Sequence, residues 1–198
     1  MQNKQINPEA FDFIPRPKPL IASSVLGMGI FLFAEFMLFM GLVSAFVIVK
    51  SGAVGQIWPP PGQPRLPVGE TAFNSAMLLL SGILLFVAHR AYRREDARFR
   101  WYLAGVIGLG LFFVVFQGVE WLALIEEGLT LTSSHHGAFF YLIIGCHALH
   151  AIFALCVLSF VYVKTLQGDF RETTFWAAEF FWYFVVGMWP LLYWLVYL

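Results

Sequence analysis

Residues 21–49 read IASSVLGMGIFLFAEFMLFMGLVSAFVIV, and Glu35 is the one charged side chain among them. About 20 predominantly apolar residues suffice for a helix to cross the hydrocarbon core of a bilayer, roughly 30 Å thick. The rest of the chain has the same character: of 198 residues 60% are hydrophobic, 18% aromatic and only 12% charged, against about 45–50% apolar and about 25% charged in an average soluble domain. With a mean hydropathy of +0.75 and a mass of 22.5 kDa, there is too little polar surface to wet a folded particle, so hydrocarbon must replace water around much of it. The chain is therefore read as an integral membrane protein. Soluble enzymes, nucleic-acid binders and disordered proteins are excluded, and a formal net charge of zero offers no field to attract a polyanion.

Working outward from that stretch, apolar runs recur at about 71–90, 101–126, 138–164 and 174–198. None alternates strictly as a barrel strand would, so all five are expected to be helices. Nine of the ten prolines lie outside the runs, and the exception, Pro190, is expected to kink the last helix. The predicted organisation is a polar N-terminal tail, residues 1–20, followed by a single all-α five-helix membrane domain, residues 21–198. The tail has no apolar core of the signal-peptide kind, so the first span is expected to act as its own anchor. Cys146 and Cys156 share one span; ten residues of helix hold them about 15 Å apart, too far for a disulfide.

Orientation follows from lysine and arginine. Splitting the connections alternately puts Lys4, Arg16, Lys18, Arg90, Arg93, Arg94, Arg98, Arg100, Lys164 and Arg171 on one side, against Lys50 and Arg65 on the other. The N-terminus and the HRAYRREDARFR and QGDFRE turns are expected to be cytoplasmic, with the C-terminus outside. Trp58, Trp101, Trp121, Trp176 and Trp194 fall towards span ends, where interfacial anchors sit. Five spans cannot be halved into the inverted repeats of many transporters.

Titratable groups at membrane depth cost about 2.5–3.5 kcal/mol each on insertion scales, so they are expected to find partners. Glu35, Glu120, His147, His150 and Glu179 stand in this position, and Gln117 lies one turn before Glu120 on the same face. Glu35 is expected to pair with His147 or His150, either as a lock on helix register or as a proton-handling group. Gly27, Ala34 and Gly41, spaced by seven, read as a close-packing stripe. A haem or metal centre fits poorly, because both histidines share one helix and no third nitrogen or thiolate is read on another span; no cofactor is expected in this chain. His135 and His136 are read as a solvated outer loop. Arg90, Arg93 and Arg94, with Trp58, are candidates for lipid headgroup contact.

Taken in order, several motifs resemble subunit III of the haem–copper oxidases, the cytochrome c oxidase type above all. They are Phe33-Ala-Glu-Phe-Met-Leu-Phe-Met-Gly41, Trp58-Pro-Pro-Pro-Gly62, Phe73-Asn-Ser with Leu80-Ser-Gly82, Phe116-Gln-Gly-Val-Glu120, Gly137 with Phe140-Tyr141, and Gly145-Cys-His147-Ala-Leu-His150, with Trp182 and Trp189 near the end. The chain is similar to the short five-helix bacterial form. It departs from the family in the last helix: where relatives usually carry Trp-His-Phe-Val-Asp, this sequence has Trp182-Tyr183-Phe184-Val185-Val186, with an acid instead at Glu179.

The resemblance implies a five-helix bundle with a V-shaped lipid cleft in a bacterial inner membrane. It implies a non-catalytic subunit packed on oxidase subunit I, with subunit II and further respiratory chains nearby, and with haem and copper confined to those partners. Phospholipid binding and support of proton uptake and durability are the implied roles, within a complex that is itself a proton-pumping oxidoreductase of aerobic electron transport. Two other readings are an accessory protein of a quinol oxidase or nitric oxide reductase, and an autonomous proton-coupled transporter.

Overall fold

The structure is a computed structural model and describes residues 23–52 and 64–198; Trp58 and the N-terminal tail lie outside the described residues. Five helices follow in chain order: α1 (Ser23–Gly52), α2 (Val68–Arg93), α3 (Phe99–Glu126), α4 (His135–Leu166) and α5 (Glu172–Tyr197). All five are long and apolar enough to cross a membrane, and no strand occurs among the described residues. Several run past the apolar stretches: α2 begins at Val68 and ends at Arg93, because backbone hydrogen bonding continues into the interface after hydrocarbon contact has stopped.

Local chemistry sets the ends. The Ser134 hydroxyl accepts from the Gly137 N–H at 3.0 Å and caps α4. Gly128 (φ +93°) and Gly168 (φ +76°) take the left-handed conformation after α3 and α4. There Leu129 N–H reaches back to the Leu124 carbonyl at 2.9 Å and Asp169 N–H to the Lys164 carbonyl at 3.0 Å. His135 and His136 belong to the first turn of α4 rather than to a solvated loop, and His136 is buried. The Ser134 cap starts the helix three residues earlier than the apolar pattern does.

Within the bundle α2 packs along α3, α3 on α4, and α5 on α4, α1 and α2; α1 also touches α4 but does not touch α2. Because α1 and α2 flank α5 separately, α5 keeps an exposed strip, including Phe180, Gly187, Pro190 and Trp194, between them. The helix continues through Pro190, whose missing N–H costs nothing to the packed faces because it sits on that strip. The stripe Gly27, Ala34 and Gly41 faces out of the chain's own bundle, and a Cβ added at Gly27 or Gly41 would meet nothing within 4 Å. Seven-residue spacing fixes a common face and leaves the partner of that face undetermined. Cys146 is half-buried, Cys156 is exposed, and neither is bonded to the other.

The tightest seam belongs to α2, where Thr71, Asn74, Leu78, Ser81, Leu85 and Ala88 are buried at alternating spacings of three and four, as close helix contacts require. Its hydroxyls anchor the aromatic face of α5: the Trp182 indole N–H donates to Ser81 Oγ at 3.1 Å and that of Trp189 to Ser75 Oγ at 2.6 Å. Ser75→Ala should strand the Trp189 N–H and cost about 1–3 kcal/mol. The check is a lower thermal midpoint in mild detergent that Ser75→Thr, which keeps the hydroxyl, restores.

Candidate functional site

Polar side chains inside the bundle form three groups. The first joins α1 to α4 near mid-helix. Phe39, Val43 and Phe46 bury one face of α1, and Glu35 lies on the same face one turn earlier. Its Oε2 stands 2.9 Å from His150 Nε2, with the two side chains 20% and 14% exposed. His150 Nδ1 lies 2.7 Å from the Cys146 carbonyl of the turn below. A carbonyl only accepts, so Nδ1 carries a hydrogen. Nε2 must then either accept from a protonated Glu35 or, as imidazolium, donate to its carboxylate. Either arrangement places one proton between the two residues and leaves the pair without net charge, the condition under which titratable groups are tolerated at this depth.

His147 does not join that pair. It points into the interior, 1% exposed, its ring centroid 5.0 Å from Trp189 and 6.2 and 6.3 Å from Phe39 and Phe113. Neither of its ring nitrogens has a hydrogen-bond partner. The i,i+3 offset that placed both histidines on one face turns them about 60° apart, enough to send one to α1 and the other to α3 and α5.

The second group lies where α2 begins and α5 ends. Gln117 Nε2 donates to Glu120 Oε2 at 2.9 Å and to the Tyr197 hydroxyl at 3.1 Å. Thr71 Oγ1 is 3.0 and 3.1 Å from the two Glu120 oxygens and 2.9 Å from the Pro67 carbonyl. Glu120, Gln117 and Thr71 are all buried. The Glu120 carboxyl thus ties α3 to α2 and the Gln117 amide ties α3 to α5, which closes that end of the bundle. Tyr197 could not be found from the sequence, since nothing there indicates that the last residue of α5 meets the C-terminal part of α3. Thr71 was missed as well, and its signal is the three-and-four spacing of the buried α2 seam that it begins.

The third group sits at the opposite end. Glu179 Oε2 lies 2.9 Å from His89 Nδ1 on α2, the side chains 7% and 12% exposed. The imidazole stacks on Phe175 at 6.1 Å and meets the edge of Trp176 at 4.7 Å. Sequence reading missed His89: it adjoins an arginine run whose count already had a topological meaning. It does supply a ring nitrogen from another span, but that nitrogen is engaged with Glu179. The two departures from the family pattern fall close by. Val186 packs where a Cβ on Gly82 would come within 3.0 Å of its Cγ1. The Tyr183 hydroxyl is buried beside the Glu179 carboxyl. Arg90, Arg93 and Arg94 are exposed at the end of α2.

The sequence profile describing cytochrome c oxidase subunit III matches residues 19–198. The chain is 33% identical to cytochrome c oxidase subunit 3 of Synechocystis sp. over 88% of its own length and 75% of that protein. It is 31% identical to the probable cytochrome c oxidase subunit 3 of Mycobacterium leprae, over 87% and 86% of the two chains. A vertebrate relative, cytochrome c oxidase subunit 3 of Lemur catta, is 30% identical across 84% of this chain and 63% of its own.

Proposed function

The chain belongs to the cytochrome c oxidase subunit III family, and from that premise we propose that it is a non-catalytic subunit that packs on subunit I, with subunit II beside them, in a bacterial inner membrane. Haem and copper reside in those partners, and this chain contributes a protonated pair at membrane depth, lipid contacts and mechanical stability. The N-terminus and the arginine-rich α2–α3 turn face the cytoplasm, as the ten-to-two distribution of lysine and arginine favours.

The observation that carries this reading is the 2.9 Å approach of Glu35 Oε2 to His150 Nε2 while Nδ1 lies 2.7 Å from the Cys146 carbonyl, a geometry that calls for one proton between the pair. A buried pair that is neutral while it holds one proton can pass that proton to a neighbouring uptake path only as another arrives, so that no net charge is left in lipid. His147, buried and unbonded, belongs to the packing around that pair. The Gln117–Glu120 group acts as a structural tie for the outer ends of α2, α3 and α5.

Two substitutions separate proton handling from helix locking. In Glu35→Gln the amide N–H donates to His150 Nε2, so the α1–α4 contact survives while the exchangeable proton is gone. Glu35→Leu removes both. The assembled oxidase carrying Glu35→Gln should match wild type in thermal midpoint and subunit content, yet share with Glu35→Leu a shortened turnover lifetime. Glu35→Leu alone should also lose about 0.6–2 kcal/mol of bundle stability, the range for an interhelical hydrogen bond in lipid. A Glu35→Gln oxidase with wild-type turnover lifetime refutes the proton role and leaves only the lock.

A further inference from the structure

In the orientation proposed above, ten basic residues lie on the cytoplasmic side and two, Lys50 and Arg65, on the outer side. Both of those two line one hollow of about 370 Å³ at the outer end of the bundle, together with Leu66, His136, Val196 and Tyr197. The register of α1 places Lys50 there: four residues on, it continues the inward face that carries Phe39, Val43 and Phe46. Its Nζ stands 5.8 Å from the centroid of the Phe46 ring. Lys50 is half-buried and Arg65 exposed, and no carboxylate lies within ion-pair distance of either among the described residues. Residues 53–63, between α1 and Arg65, contain no aspartate or glutamate. Two positive charges therefore converge on one place without a counter-charge from the described chain.

Topology does not call for this convergence, since membrane insertion disfavours positive charge on the outer side, and a half-buried ammonium without a counter-charge costs stability. The chemistry of the hollow selects its occupant. An ammonium and a guanidinium above apolar walls of Leu66 and Val196 suit a carboxylate, which the guanidinium can take in a bidentate manner. Anionic lipid is a poorer match, because the negative surface potential that draws basic clusters to a bilayer belongs to the cytoplasmic leaflet. Position selects the source. Helix α1 turns Gly27, Ala34 and Gly41 out of the chain's own bundle. A subunit packed along that face brings its outer loops to the level at which α1 ends, where Lys50 stands.

We propose that this hollow receives an aspartate or glutamate from an outer-face loop of the neighbouring oxidase subunit that covers α1, with Lys50 and Arg65 as its two cationic contacts. The contact rests on the chain's place in an oxidase complex. It is independent of the Glu35–His150 proton, since fifteen residues of helix set Lys50 about 22 Å from Glu35 along α1. A smooth helix face lets a neighbour slide and rotate along it, whereas an ion pair at one end fixes the register. The outer end of α1 is thus the point that sets how this subunit sits against its neighbour.

The test is zero-length carbodiimide cross-linking of the purified oxidase complex, which joins an ammonium to a carboxylate only when the two are in contact, followed by peptide mass spectrometry. Lys50 should be linked to an acidic residue of another subunit. Lys50→Arg, which keeps the charge but cannot form the amide, should lose that link and keep wild-type subunit content. The double variant Lys50→Gln, Arg65→Gln should release this chain from the complex about tenfold faster at low salt, a surface charge pair being worth a factor of up to about five. At high salt, where such pairs are screened, the difference from wild type should vanish. Neither position belongs to the packed core, so the bundle survives and an unchanged circular dichroism spectrum verifies it. Three outcomes would each overturn the site in an intact complex: no link from Lys50 to another subunit, a double variant released as slowly as wild type, or a wild type that behaves as the double variant once phosphatidylcholine replaces anionic lipid. A preparation that lacks haem-bearing subunits would overturn the oxidase reading and this site with it, so the two failures are told apart by subunit content.

Discussion

Gly110→Val should leave almost no folded chain in detergent extracts, whereas Gly41→Val should extract at wild-type yield. A Cβ at Gly110 would fall 2.5 Å from Trp182 Cη2 and 2.7 Å from Leu155 Cδ2, at a point where α3 meets both α4 and α5. The Leu155 tip can rotate away, but Trp182 cannot: it is 0% exposed and its indole N–H is held by Ser81 Oγ at 3.1 Å. Shifting the ring to admit a methyl costs the overpacking penalty, about 1–3 kcal/mol, and strands the indole N–H for about 1–3 kcal/mol more. Against this, alanine gains up to about 1 kcal/mol over glycine in helix propensity. The steric term wins even for Gly110→Ala, which should lower the unfolding free energy by about 2–4 kcal/mol in a denaturing-detergent titration. Valine, with two further carbons in the same space, should go beyond what a small bundle can absorb. Gly41 has nothing within 4 Å of the same added atom, so there the propensity gain stands alone and Gly41→Ala should be neutral or slightly stabilising in the isolated chain. A loss at Gly41 equal to that at Gly110 would mean that the Gly41 face of α1 is packed within the chain.

The contrast between these two glycines also shows which information a sequence carries. Spacing along one helix is local, so the five spans, the face shared by Gln117 and Glu120 and the family motifs were legible from the chain alone. What a face meets is not local. Gly27, Ala34 and Gly41 are spaced like a contact, yet the neighbours of α1 are reached through Phe39, Val43 and Phe46 on another face. Likewise two histidines three residues apart looked equivalent, and the approach of α1 decides that Glu35 reaches His150 while His147 packs against Trp189 with the rings tilted by 33°. Tyr197 enters the Glu120 group only because α5 returns to the end at which α2 starts. His89 was hidden for a different reason: a titratable side chain beside arginines reads as interface until the helix is seen to turn it towards α5. The signal was present in Gly82, Leu85 and His89, which continue the spacing of the buried α2 seam by one more turn.

That His89–Glu179 contact should produce the second large effect, and a double-mutant cycle would reveal its nature. Tyr183 and Val186, which face α2 from the next turns of α5, carry no charge, so the charged contact from α5 to α2 is made by Glu179. Removing one member of a buried pair leaves the other desolvated and uncompensated, typically at a cost of 3–5 kcal/mol. His89→Leu should therefore lower the unfolding free energy by about 3 kcal/mol, the low end of that range because Glu179 can take up a proton and shed its charge. Glu179→Leu should cost less, since a lone imidazole is neutral in one of its ordinary forms and stays stacked on Phe175. The double variant His89→Leu, Glu179→Leu should recover most of the loss, because leucines at these positions extend an apolar wall already made by Phe86 and Phe180. A coupling of about 2 kcal/mol between the two sites would establish the pair as interdependent in the sense that neither charge is tolerated alone. Additive single effects would show instead that each side chain finds water or lipid headgroups independently, and that the α2–α5 seam is held by Ser75, Ser81 and the two tryptophans alone. The cycle should be run with lipid content measured alongside, since His89 also borders a hollow rimmed by Arg90, Arg93 and Arg94, and a variant that changed lipid occupancy would otherwise lend its effect to the pair.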